Sequence, residues 1–350
     1  MKILLINQGY SDNLGDKAIK YMLMVMLKKL DHQVEFCGFT QFVEQSLEFS
    51  NKKDVSGNKI LLKLKKSLPV SLKWKVRKER DIKKILSKMD NNFDFIIIGG
   101  GQLVKSNCYF PYAMQFWTDY ASKINSKIVL FGIGCDQNLS THEKKTYIKA
   151  FKKCENITVR DKASQNFLKK EFEIECSYVP DVAFSLYNYV VQNKNSKKKD
   201  VVVMIYSYTT YKSHFRHKIN IKEYYDRWIE IINQHIDRDT FIKLAYSTYE
   251  DKIETYNFIN YLKMHIDNKV KILNSDTLTS LLNILGESEK VITGRMHPMI
   301  FGVLANCKVI PFSISDKIDT FKQEWLLNEN EINFNHINKT IFKKLNEVLD

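Results

Sequence analysis

Glycine and proline are scarce in this chain of 350 residues, at 12 and 5. That excludes a collagen-like repeat and a linker-dominated architecture. The six cysteines, Cys37, Cys108, Cys135, Cys154, Cys176 and Cys307, form no C-x-x-C pair. Their scatter argues against a disulfide framework or a zinc site and for reduced core thiols in a cytoplasm. No apolar run reaches the roughly 18 residues of a spanning helix. The opening Met1-Lys2-Ile3-Leu4-Leu5-Ile6-Asn7 is too short for a signal peptide, and the Gly and Asp that follow argue against one. No Asp-x-Asp stands at the end of a strand pattern, so no essential metal is expected.

What is present is a globular composition, 44% hydrophobic and 27% charged, with length enough for two domains. The net charge of +14 is concentrated. Between Lys59 and Lys88, Lys and Arg outnumber Asp and Glu by twelve to two, with Leu61, Leu62, Leu64, Leu68, Val70, Leu72, Trp74 and Val76 interleaved. A basic, amphipathic segment with a Trp suits the surface of an anionic membrane. The same segment also reads as a solvated helical insertion. Nucleic acid is not expected as a partner, because there is no repeated aromatic platform, helix-turn-helix or zinc signature.

The chain is organised around Val291-Ile292-Thr293-Gly294-Arg295-Met296-His297-Pro298-Met299-Ile300. It reads as a buried strand, a tight turn at Gly294, and a helix start that tolerates Pro298 in its first turn. Open α/β sheets place ligands at such turns, where free N–H groups attract anions. Arg295 adds a bidentate cation, and His297 adds a group that moves a proton near neutral pH. A surface arginine and a structural histidine are the plainer alternatives for each residue alone.

Elsewhere the same unit recurs. A strand at Lys2–Ile6 leads through a polar loop into an amphipathic helix carrying Ala18, Ile19, Met22, Leu23, Met26, Leu27 and Leu30. Asp16 at its start is expected to cap the helix, and it is also placed to accept a proton from a sugar hydroxyl. Phe93–Ile98 runs into Gly99-Gly100-Gly101, where a ligand or another backbone can approach closely. Ile128–Phe131 is a further strand, and Thr141 is expected to cap a helix reaching about Lys153. Val159 delivers Arg160 to another helix start, and Asp181 stands at a strand end. Residues 1–187 form a first domain with the basic insertion at about 59–88. A polar linker follows at 188–200, then a second domain at 201–336 and a terminal helix at 337–350. Lys317 lies just past the last strand and is expected to swing over the cleft.

Asn13-Leu14-Gly15-Asp16, Gly99-Gly100-Gly101, Val159-Arg160-Asp161-Lys162-Ala163-Ser164, Pro180-Asp181-Val182-Ala183-Phe184 and Gly294-Arg295-Met296-His297, with downstream Lys317, come in an order that resembles the polysaccharide pyruvyl transferase family. The resemblance covers nearly the whole chain. It departs at Gly132-Ile133-Gly134-Cys135-Asp136 and at the basic insertion. It implies an α/β fold of two Rossmann-like domains facing across a cleft, similar to the GT-B architecture. It also implies phosphoenolpyruvate as co-substrate, no cofactor, and a pyruvyl ketal formed on a sugar of a cell-surface glycan or its lipid-linked precursor. The expected location is the cytoplasm, peripheral on the inner face of the membrane. Arg295, Arg160 and Lys317 would hold the donor's phosphate and carboxylate, and His297 as imidazolium would be the acid. Asn13, Gly15, Asp16, Gly100, Gly101 and Asp181 would line the substrate site. A GT-B-type glycosyltransferase using a nucleotide sugar is the alternative.

Overall fold

Apolar runs buried on both faces, such as Ile3–Ile6, Ile96–Ile98, Ile128–Phe131 and Val201–Val203, account for the architecture. The computed structural model describes residues 1–48, 69–106, 109–190, 198–214, 219–314, 316–327 and 332–350. The first sheet holds β1 (Lys2–Asn7), β2 (Gln33–Gly38), β3 (Phe95–Val104), β4 (Lys127–Cys135), β5 (Asn156–Val159) and β6 (Ser177–Tyr178). Their order is β2-β1-β3-β4-β5-β6, and every pairing is parallel. The second sheet holds β7 (Lys198–Met204), β8 (Ile242–Leu244), β9 (Val270–Ile272), β10 (Ser288–Thr293) and β11 (Lys308–Pro311), in the order β11-β10-β7-β8-β9, again all parallel. Alternation decides which way each side chain goes. Ile97 faces the core that contains the helix Leu14–Lys29, while Ile96 and Ile98 face the layer built on Trp117 and Tyr147.

One apolar cluster crosses from Leu5 and Ile97 of the first sheet through Phe184 and Leu186 to Val202 and Val291 of the second, and to Ile300 in the helix Met296–Leu304. The 3₁₀ segment Val182–Tyr189 and the terminal helix Phe334–Glu347 lie in this shared core. Tyr187 stacks on Phe334 with ring centroids 4.7 Å apart, and Phe184 meets Trp325 at 4.3 Å. The linker is shorter than its composition suggests. The 3₁₀ segment runs to Tyr189 and β7 starts at Lys198, where Asp200 neutralises Lys243 at 2.9 Å. Residues 191–197 lie outside the described residues.

The three glycines do not end β3. The strand continues through them to Val104, with Gly100 and Gly101 at φ of +70° and +81°. Gly100 is a packing glycine, since a Cβ there would lie 2.1 Å from Ile19 Cγ2. Gly100→Ala therefore combines a left-handed backbone penalty of about 1–2 kcal/mol with overpacking of about 1–3 kcal/mol. A loss of roughly 2–5 kcal/mol in urea unfolding is the expected result. Ser140, not Thr141, caps the helix Thr141–Phe151. It forms a capping box with Glu143, and a carboxylate at that third position is what selects it.

Of the basic segment, residues 59–68 lie outside the described residues, and with them Lys59, Lys63, Lys65 and Lys66. From Val70 the chain is helical as Val70–Lys73, Trp74–Glu79 and Arg80–Leu86. Trp74 is buried and packs on Tyr109 and Phe116, with Ile82 and Leu86 beside it. The indole thus ties this helix to the domain and is not a membrane anchor. No described helix is long and apolar enough to cross a membrane.

Candidate active site

The carboxyl ends of the strands in both sheets converge on one group of charged side chains. Arg160 follows β5 directly, and its side chain is almost wholly buried. Its Nη1 donates to Asp181 Oδ2 at 2.8 Å and its Nη2 to Gln102 Oε1 at 3.0 Å. Gln102 in β3 is itself anchored by donating from Nε2 to Asp136 at 2.9 Å. Gly134 makes room for this arrangement, since a Cβ there would lie 2.9 Å from Arg160 Nε. Asp181 caps the 3₁₀ segment by accepting from the Ala183 N–H. Burial alone would raise its carboxyl, but Arg160 and His297 bring it below the usual range.

His297 enters from the second half, in the first turn of the helix Met296–Leu304. Its Nε2 is buried, lies 3.7 Å from Asp181 Oδ2, and makes no hydrogen bond. The Gly15 backbone presses against the ring, because a Cβ on Gly15 would sit 2.1 Å from His297 Nδ1. Burial lowers the imidazole to about 3, and Arg160, Lys317 and Arg295 push the same way against Asp181. Without a bound anion beside it, His297 is therefore neutral.

Asn13, not Asp16, caps the helix Leu14–Lys29, accepting from the Gly15 N–H at 2.9 Å. Asp16 is left to accept from Ser11 Oγ at 2.9 Å, and it faces Gly101, where a Cβ would lie 3.4 Å from its Oδ1. Burial raises the Asp16 carboxyl, while Lys105, the Ser11 hydroxyl, Arg160 and Lys317 oppose that rise. Lys317, in the helix Asp316–Phe321, is open to solvent on one side yet crowded by protein. That crowding, with Arg160 and Lys105, brings its ammonium down to about 7.

Arg295 is held differently. Its Nε and Nη2 both donate to Asp251 at 2.7 Å, and Nη2 also reaches Thr248 Oγ1 at 3.3 Å. Its guanidinium lies over the Tyr206 ring, 4.1 Å from the centroid. Burial would lower this group, but the Asp251 carboxylate outweighs it and pushes the pKa up. The two arginines thus end on separate carboxylates, and neither has its fork free.

The structure brings together Gly15, Asp16, Gly101, Arg160, Asp181, His297 and Lys317. It turns Gly100 toward Ile19 and ties Arg295 to Asp251. Sequence reasoning missed Lys105, Gln102, Asp251 and Tyr206. The signal for Lys105 and Tyr206 was available, since each stands just past a strand that points at the site. The halves are clamped beside the site, where Asp12 accepts from the Tyr249 N–H at 2.7 Å and the Ser247 carbonyl from the Leu14 N–H at 3.0 Å. Among the described residues no group of three or more His, Cys, Asp and Glu has the arrangement to hold a metal ion.

Several solved structures are similar over almost the whole chain. A UDP-GlcNAc 2-epimerase from Methanocaldococcus jannaschii, in complex with UDP-GlcNAc and UDP, is 12% identical, with 99% of this chain and 100% of that one covered and a TM-score of 0.56. MnaA of S. aureus with UDP is 13% identical, covering 100% and 88%, at 0.54. Anabaena HepE with UDP and glucose is 10% identical, covering 99% and 100%, at 0.52. At such identities the likeness establishes the fold alone, two Rossmann-like domains in a GT-B-like arrangement. No curated protein sequence matches this chain. The profile of the family described as polysaccharide pyruvyl transferase matches residues 13–316, which span the site from Asn13 to His297 and stop one residue before Lys317. The chain therefore belongs to the polysaccharide pyruvyl transferase family, and is a transferase.

Proposed function

We propose that the chain moves a pyruvyl group from phosphoenolpyruvate to a sugar of a cell-surface polysaccharide or its lipid-linked precursor, closing a ketal. The observation that most supports this reading is the convergence of Arg160 and Lys317 on the buried His297–Asp181 pair, with Lys105 beside Lys317 and Asp16. The donor carries a phosphate and a carboxylate on a small enol. Lys105 and Lys317 hold these anions, because among the described residues neither makes an ion pair with a carboxylate. Arg160 fixes Asp181 and adds positive potential from below. Arg295, gripped by Asp251, acts on His297 through its field from the second half.

Lys317, one of the cations that add to burial in keeping His297 neutral, is one the donor neutralises. Donor binding thereby favours the imidazolium, with Asp181 beside it. His297 gives its proton to the methylene carbon, and the adjacent carbon becomes electrophilic. A sugar hydroxyl attacks that carbon and loses its proton to Asp16, whose raised carboxyl suits a base. The bond from carbon to the phosphate oxygen then breaks, and a second hydroxyl of the same sugar closes the ring. Of the two hydroxyl protons, one replaces the proton given to the methyl carbon and the other leaves on phosphate.

The deciding experiment incubates the protein with phosphoenolpyruvate and a panel of galactosyl and N-acetylhexosaminyl lipids. Phosphate release, with a pyruvyl mass gain on one lipid, is expected. A nucleotide-sugar glycosyltransferase is the second reading, because similar folds hold UDP and the Met296-His297-Pro298 turn suits a nucleotide phosphate. Thermal stabilisation by a UDP, CMP or GDP sugar, and none by phosphoenolpyruvate, would replace the first reading with the second.

A further inference from the structure

We infer that the outer helical face of the first half docks on an anionic lipid surface. The helical stretch from Val70 to Leu86 and the helices Phe110–Lys123 and Thr141–Phe151 pack their inner sides into one core on the same face of the first sheet. Their outer sides are basic. Lys75, Arg80, Lys83 and Lys84 line one shallow groove, with Glu79 as the only acid among the described residues that line it. Lys145, Lys149 and Lys152 line a second groove with His142 and Tyr112. Lys75, Lys84, Lys145, Lys149 and Lys152 are exposed and make no ion pair among the described residues. Unpaired cations held on rigid helices are a poor arrangement for stability and a good one for an opposing negative surface.

Apolar side chains distinguish a lipid surface from other polyanions. Leu72 and Val76 are 42% and 57% exposed one helical turn apart, and Val43 is 79% exposed. Val43 adjoins Phe42, whose ring lies under Lys78 of the same helix. Aliphatic tips flanked by lysines match the boundary between headgroups and acyl chains. A nucleic acid would ask for exposed aromatic rings on which bases stack, and the one tryptophan of this helix is buried. The inference does not depend on which donor the active site takes.

The full chain is to be sedimented with vesicles of phosphatidylcholine alone and of phosphatidylcholine mixed with phosphatidylglycerol, at low and high salt. Binding to the anionic vesicles is expected, with little to the neutral ones, and high salt should weaken it. Each cation near such a surface is worth roughly fivefold in affinity. The variant K75E/K84E/K145E/K149E should therefore lose at least about a hundredfold, with its circular dichroism unchanged. Leu72→Ser with Val76→Ser should weaken binding less and leave its salt dependence intact. Equal binding to both vesicle types, undiminished binding by the charge-reversed variant, no sedimentation with either vesicle, or tighter binding to single-stranded RNA would each overturn the inference.

Discussion

Replacing His297 by alanine is expected to lower kcat by about 10²–10⁴-fold while phosphoenolpyruvate still binds. The split follows from what surrounds the ring. The lysines that take the donor's anions stand on other elements, at the end of β3 and past β11, so they keep their places when the imidazole is removed. What disappears is the proton that must reach the methylene carbon. In the empty site burial and three cations hold His297 near 3, so the proton has to arrive with the donor. Calorimetry of donor binding in buffers of different ionisation enthalpy should therefore show proton uptake in the wild type near neutral pH, and less of it in His297→Ala. Gly15→Ala should act in the same direction, because its new methyl would enter the space of the ring. That variant should lose kcat with the rest of the fold intact. Full turnover in His297→Ala would remove the imidazole from the chemistry.

Much of this site could be read from the chain because it is built at strand ends, and strand ends are visible in a sequence. Val291-Ile292 before Gly294, and Val159 before Arg160, placed both arginines and His297 at the mouths of parallel sheets, where they stand. What could not be read was which acid each arginine meets. Asp251 is 44 residues from Arg295 and Asp181 is 21 from Arg160, and nothing local marks either pair. Two unpaired guanidinium groups would be costly in a buried site, so tertiary structure supplied carboxylates before any ligand arrived. The cap of the first helix was misassigned for a related reason. Asn13 and Asp16 are both capping residues, and only the backbone shows that Asn13 has the extended conformation of the cap. With Asn13 in that role, Asp16 is free to face the site. The glycines of β3 suit the close approach of a ligand or of another part of the protein, and helix packing claims Gly100 while Gly101 faces Asp16.

Lys317→Ala is expected to raise KM for phosphoenolpyruvate by about 10–100-fold, the usual cost of losing a charged hydrogen bond. Its pH dependence separates this role from a structural one. Crowding and the neighbouring Arg160 and Lys105 hold the free ammonium at about 7. A bound phosphate or carboxylate favours the charged form, so the pKa in the complex is higher than in the free enzyme. Protonation and donor binding therefore support each other. Below about 7 the lysine is already charged and contributes no pH dependence. Above 7 the free enzyme must take up a proton to bind, and KM should rise by about tenfold per pH unit until the pKa of the complex is passed. The donor's own second phosphate ionisation, near 6, leaves the alkaline limb to the protein. Lys317→Arg keeps a charge that does not titrate in this range, so its KM should stay flat where the wild type climbs. Lys105→Ala removes one of the cations that depress Lys317, and it should move the break to higher pH while weakening the donor at every pH. A wild-type KM that does not change between pH 7 and the alkaline limit of stability would take Lys317 out of the donor site and leave its low ammonium pKa without a function.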